Sequence, residues 1–377
     1  MKSKTRTLVA SAVIVLSALL ATAQQQATLK DAFKDDFLIG VAINSRQIFE
    51  NDASGVAIIK TQFNSISPEN ILKWEVVHPQ PRTYDFAASD RYVEFGEQNH
   101  MFIIGHNLVW HNQVPKWVFE DKNGKPLTRK KLLKRMRDHI HKVVGRYKGR
   151  IKGWDVVNEA LNDDGTMRQS PWETIIGDDY IIKAFQFAHE ADPFAELYYN
   201  DYGLENELKR KGAITLLEKL KKAGIPASAI GSQEHDNLQW PPLEQVDATI
   251  TDFANLGVKV MITELDIDVL PRVVRNGSAE ITLTTESQPK LNPYVKGLPD
   301  DVQKQLADRY AGLFGVFVKH RGEIKRVTFW CVTDGDSWLN DWPVKGRTSY
   351  PLLFDREAKP KPAFDAVLRM AQPTNAP

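Results

Sequence analysis

Cysteine is almost absent from this chain of 377 residues: Cys331 is the single one. No internal disulfide can form and no cysteine-based metal cluster can be built, so the chain must be held by its own apolar core. A basic excess is missing as well. The 49 Lys and Arg residues against 48 Asp and Glu residues give a formal net charge of +1. Nucleic acid and anionic membranes both require a basic footprint, so neither fits as a partner. Long hydrophobic runs are also lacking, because the stretch from Leu8 to Leu20 is too short for a comfortable membrane span.

That run does have a meaning. Lys2, Lys4 and Arg6 precede it and Ala21-Thr22-Ala23 follow it, the order of a secretory signal peptide with its small-residue cleavage site. The expected division is a signal peptide over 1–23 and one folded domain over 24–377. No cysteine lies near the cleavage point to carry a lipid anchor. Cleavage removes three basic residues and no acidic ones, leaving a formal charge of −2 on 354 residues. Such a chain suits a neutral polymer such as a polysaccharide and is long enough for one large α/β barrel. The expectation is a secreted protein, extracellular or periplasmic, without membrane association after cleavage. Nothing in the pattern calls for an oligomer, so a monomer is expected.

From residue 37 onward, short apolar runs alternate with amphipathic stretches. Strands are expected at 37–43, 63–67, 101–105, 151–157, 196–199, 227–232, 258–263 and 326–331. Helices are expected at 54–61, 87–98, 127–147, 180–190, 205–223, 245–256, 301–320 and 362–370, with Gly224 as a helix stop signal. Eight strands alternating with eight helices and no internal linker predict parallel βαβ units closed into a (β/α)₈ TIM barrel. The stretch 269–299 breaks the rhythm; it is either a wall of a substrate cleft beside strand seven or a plain insertion.

The chemistry-bearing residues fall just after the strands, the end that carries the active site in this architecture. Strand four leads into Asn158-Glu159 and strand seven into Glu264, 105 positions later. Two carboxyl groups at the tips of two buried strands match the needs of glycoside hydrolysis. One group protonates the leaving oxygen and the other meets the positive anomeric carbon. A carboxylate at Glu264 would favour a proton on Glu159 until Glu264 is glycosylated, after which Glu159 can act as base. His235, after strand six, is placed to hydrogen-bond Glu264, and Asp266 to hold His235. His106 and Trp110, after strand three, suit hydroxyl contacts and a sugar face, as do Trp330 and Trp338 around the end of strand eight. A metal site from His106 and His111 is the competing reading, but their spacing fits no helical ligand pair. Asp155 is read as internal support for strand four. Glu234 would point away from Gln233 and His235 if its strand continued, and Glu69 and Asn70 could equally be a helix start.

These residues resemble glycoside hydrolase family 10, the retaining endo-β-1,4-xylanases, along essentially the whole mature chain. The matching segments are GVAIN (40–44), PENILKW (68–74), GHNLVWHNQVPKW (105–117), WDVVNEA (154–160), YYNDYGLE (198–205), IGSQEHD (230–236), ITELDI (262–267), FWCVTDGDSW (329–338) and PLLFD (351–355). The resemblance implies Glu159 as general acid/base and Glu264 as nucleophile, acting on xylan and xylo-oligosaccharides without a cofactor or metal. It also implies sugar contacts at the cleavage subsite from His106, Trp110, Asn158, Gln233, His235, Trp330 and Trp338. Asn158 would bind the 2-hydroxyl, and Glu69, Asn70 and Lys73 the next sugar toward the non-reducing end. The chain departs from the common pattern at Asn112, Val114, Glu234, Asp236 and Cys331, which stands where Gly is usual, and in the length of the 269–299 stretch.

Overall fold

The computed structural model describes residues 27–225, 227–271, 284–286 and 288–371. The expected signal peptide lies outside the described residues, as do residues 272–283 and 287 of the 269–299 stretch.

Eight parallel strands close into a barrel. They are β1 (Leu38–Ile43), β2 (Ser65–Pro68), β3 (Phe102–Val109), β4 (Gly153–Asn158), β5 (Glu196–Asp201), β6 (Ala229–Ser232), β8 (Lys259–Asp268) and β9 (Ile324–Phe329). Neighbours in sequence pair in parallel, β1 pairs with β9, and the β6–β8 pairing completes the ring. A short β7 (His235–Asn237) continues the sixth stave and pairs with the far end of β8, His235 opposite Asp266.

Helices fill the connections because their apolar residues recur on one face. In the helix Arg129–Arg146, Leu132, Met136, Ile140, Val143 and Val144 are buried while Lys134, Arg137 and Lys142 are exposed. The helix expected over 205–223 runs from Glu207 to Lys222. It starts late because the Asn206 side chain accepts from the Leu208 amide and caps it. Among the described residues no helix is long and apolar enough to cross a membrane.

Strand parity decides what enters the barrel. On β5, Leu197 and Tyr199 belong to the main core, whereas Tyr198 packs with Ile104, Ala229 and Met261 in a separate cluster. Asn200 shares the parity of Tyr198. The register shifts at four places: between His106 and Val109, between Asp155 and Val157, between Val260 and Met261, and between Ile262 and Leu265. Such irregularities re-aim side chains. All four lie on staves that carry expected site residues.

Two expectations about strand ends change. The third strand runs through His106 to Val109, so His106 lies within it. The seventh stave does not end at Glu264 but continues to Asp268, because β7 supplies it with a partner. The condition set for Glu234, a strand continuing through it, is not met: it has φ +58° and breaks the sixth stave between β6 and β7.

Candidate active site

The residues expected to meet the sugar or to support those that do, Glu69, Asn70, Lys73, His106, Trp110, Asn158, Glu159, Gln233, His235, Glu264, Asp266, Trp330 and Trp338, line one cleft of about 940 Å³ at the C-terminal ends of the strands, whereas His111, Asp155 and Glu234 do not line it. That size is at the upper end for a small-molecule site.

The two glutamates are held differently. Glu159 turns out of β4 with φ +56°. Its Oε2 accepts from the Trp110 indole at 2.9 Å, and its Oε1 from the amides of Gln233 at 3.1 Å and Asn158 at 3.2 Å. Glu264 Oε1 accepts from Asn200 Nδ2 at 2.8 Å, and its Oε2 from His235 Nε2 at 3.2 Å. Burial opposes ionisation of Glu264. The His235 hydrogen bond, the nearby imidazoles of His106 and His235 and the Asn200 amide outweigh it, and the carboxyl lies below the usual Glu range. Burial likewise opposes a charge on His235, but Asp266 and Glu264 overcome it and lift the imidazole to about 10. His235 is thus an imidazolium donating from Nε2 to Glu264 and from Nδ1 to Asp266, 3.0 Å away. Asp266 is fixed in turn by the Trp338 indole at 2.6 Å.

On the opposite wall, the Lys73 ammonium donates to Asn70 Oδ1 at 2.9 Å, Asn70 donates to Glu69 at 3.2 Å, and Lys73 sits 4.9 Å from the Trp110 ring. Burial pushes Lys73 down against the pull of Glu264, Glu69 and Glu159, and pushes Glu69 up against the pull of Lys73. A site in which burial works against the charge of both groups invites polar, neutral ligand groups such as hydroxyls to complete their hydrogen bonding.

Some placements differ from what the sequence suggested. Asp155 does more than support its own strand: it accepts from His106 Nδ1 at 2.9 Å and orients that buried ring. Trp110 and Trp330 are 8% and 6% exposed, so each offers an edge and not an open platform. Trp338 stacks on Trp342, with centroids 4.7 Å apart and planes 17° apart. Among the described residues, no group of three or more His, Cys, Asp and Glu side chains is placed to hold a metal ion.

Sequence reasoning missed Asn200, which is fully buried and donates to Asn158 Oδ1 at 2.9 Å as well as to Glu264. The available signal was an Asn at the tip of an apolar strand, the same signal that singled out Asn158. Asn200 fits only because Gly231 faces it; a Cβ there would lie 2.2 Å from Asn200 Oδ1. Tyr202, Trp240 and Trp342 also line the cleft and were not singled out.

The model of glycosyl hydrolase family 10 matches residues 28–370. An endo-1,4-beta-xylanase A of Xylanibacter ruminicola is 47% identical over 357 residues, covering 95% of this chain and 97% of the relative. Among solved structures, a GH10 endoxylanase retrieved from a sugarcane soil metagenome superposes with a TM-score of 0.88 at 47% identity, covering 91% of this chain and 99% of the other. A mutant solved in complex with xylotriose gives 0.81 at 34% identity, covering 91% and 99%.

Proposed function

The chain belongs to glycosyl hydrolase family 10, and on that premise we propose that it is an endo-1,4-β-xylanase that cuts internal bonds of xylan with retention of configuration. It is a glycoside hydrolase; the substrate is taken from the relatives, whose names and bound xylotriose point to xylan. The observation that carries the mechanism is the asymmetric dressing of two glutamates in one cleft. Glu264 is held ionised by His235 and Asn200, while Glu159 is held by Trp110 and Gln233.

Glu264, kept as carboxylate, attacks the anomeric carbon while Glu159 passes its proton to the glycosidic oxygen, and the leaving chain departs. The covalent glycosyl–enzyme removes the negative charge on Glu264. Glu159 then takes a proton from water, which attacks the same carbon and restores both groups. Asn158, itself held by Asn200, is assigned to the 2-hydroxyl. His235 keeps Glu264 aimed and lowers its basicity as it leaves. Every step uses the chain's own groups.

NMR of xylohexaose digestion tests this. β-anomers appearing first from an internal cut are expected. α-Anomers would overturn retention, and release from β-glucan or mannan oligomers but not xylohexaose would move the substrate. Secretion is proposed from the order of basic, apolar and small residues over 1–23. N-terminal sequencing of the exported protein checks it, with Gln24 expected first.

A further inference from the structure

Glu159 stands on an unfavourable backbone. At φ +56° the Cβ of an L residue crowds the following carbonyl oxygen. Trp110, Gln233 and Asn158 hold the head of this residue and the Asn200 carbonyl holds its amide; its own carbonyl is held by one side chain that the mechanism has not used. Arg168 Nε donates to the Glu159 carbonyl at 3.0 Å, and Arg168 Nη2 donates to the Leu161 carbonyl at 3.0 Å and to the Tyr202 hydroxyl at 2.9 Å. The Arg168 amide also donates to the Ala160 carbonyl at 2.8 Å, and a Leu161–Met167 bridge closes the hairpin between them. One planar guanidinium therefore spans the turn on which Glu159 sits and ties it to Tyr202, which comes from the loop after β5 and lines the cleft.

We propose that Arg168 is a positioning residue for proton delivery: by clamping the carbonyls of Glu159 and Leu161 against the Tyr202 hydroxyl, it sets the direction in which Glu159 meets the leaving oxygen. The proposal rests on the glycosidase reading of Glu159. The planar fork is what the task requires, since three acceptors from two loops are met by one rigid group. Removing it leaves the head contacts of Glu159 and the bond from its amide to the Asn200 carbonyl in place and frees its own carbonyl, so the loss is one of aim. An error of about 1 Å in such a group costs on the order of 100-fold.

The test uses a series of aryl β-xylobiosides whose leaving groups run from phenol to 2,4-dinitrophenol. Phenolate needs a proton to leave well, whereas dinitrophenolate does not. Arg168→Met is expected to lower kcat/KM by at least about tenfold on the phenyl glycoside and on xylohexaose, and by less than about threefold on the dinitrophenyl glycoside. Arg168→Lys is expected to fall between, because one ammonium cannot span both carbonyls. An equal fall for every leaving group would mark a merely structural role and overturn the proposal, as would no fall at all. Should Arg168→Met fail to fold, as judged by circular dichroism, Arg168→Lys and Tyr202→Phe carry the same comparison with the same expected bias. A wild-type protein that cleaved none of these substrates would instead overturn the glycosidase reading and the proposal with it.

Discussion

Asn200 donates one amide group to Glu264 at 2.8 Å and to Asn158 at 2.9 Å, so the nucleophile and the residue assigned to the 2-hydroxyl share a single buried anchor. Thr263 fixes the other end of that amide, donating to Asn200 Oδ1 at 2.6 Å. A change at this one position therefore reaches both the charge of the nucleophile and the grip on the sugar.

Asn200→Ala is expected to lower kcat/KM by roughly 10- to 100-fold, since a hydrogen bond to a buried charged group is worth on the order of 1.5–3 kcal/mol. The Asn200 amide helps hold Glu264 down, so its loss raises the nucleophile and moves the acid limb of the pH–kcat/KM profile to higher pH. Gly231→Ala should act in the same direction with the amide chemically intact, because the new methyl would displace Asn200 Oδ1. An unmoved acid limb in both variants would refute the shared anchor.

His235 makes stability depend on pH. Its imidazole lies at about 10 in the folded chain, above the ordinary 6.5, so the folded state binds the extra proton between those values. The stabilisation is complete below about pH 6.5 and is lost as pH rises through about 10. Melting temperature is expected to fall across this interval, and the fall to be shallower in His235→Asn. The comparison is made by thermal denaturation of the two proteins from pH 6 to 10.

Much of this arrangement was legible in the residues, for physical reasons. Apolar runs of strand length between helical repeats forced a barrel, and a polar residue at the tip of such a run, as at Asn158-Glu159, has nowhere to go but the mouth. The positions of Asp266 and His235 followed from the same logic. What did not show was backbone irregularity. The register break between Ile262 and Leu265 lets consecutive residues, Thr263 and Glu264, both meet Asn200, yet no residue type there announces a break. The left-handed turn at Glu234 is equally silent, because it is followed by the pairing of His235–Asn237 with β8, a tertiary contact. Arg168 lies nine positions from Glu159, and its role exists only once the hairpin closes.

Glu234 carries its own prediction. It is buried, and Ser232 Oγ lies 2.8 Å from its carboxyl and 2.9 Å from that of Glu205. Burial, then the charges of Glu205 and Asp236, raise Glu234 well above the usual Glu range; Arg309 answers Asp236 at 3.0 Å. A carboxyl raised on folding costs stability progressively as pH climbs above its unfolded value of about 4.3. Glu234→Gln keeps the shape of the protonated acid without that cost. The variant is expected to match the wild type near pH 4 and to melt higher with rising pH. A melting difference independent of pH would refute it.

Trp240 is 41% exposed although it lines the cleft, unlike the buried Trp110 and Trp330. Its loop is well fixed. Asn237 Oδ1 accepts from the Gln239 and Trp240 amides at 2.9 Å, the Asn237 amide donates to the Trp240 carbonyl at 2.9 Å, and Arg309 donates to the Pro241 carbonyl at 2.6 Å. A rigid loop presenting an open indole at the rim suits stacking on a sugar ring, an interaction worth on the order of 1 kcal/mol. The stave that carries Trp240 stands on the side away from Glu69 and Lys73, so the ring it meets belongs to the leaving chain. Trp240→Ala is therefore expected to raise KM for xylohexaose several-fold and to leave an aryl xylobioside, too short to reach it, unchanged. Equal effects on the two substrates would mean that Trp240 shapes the cleft as a whole and does not grip the leaving chain.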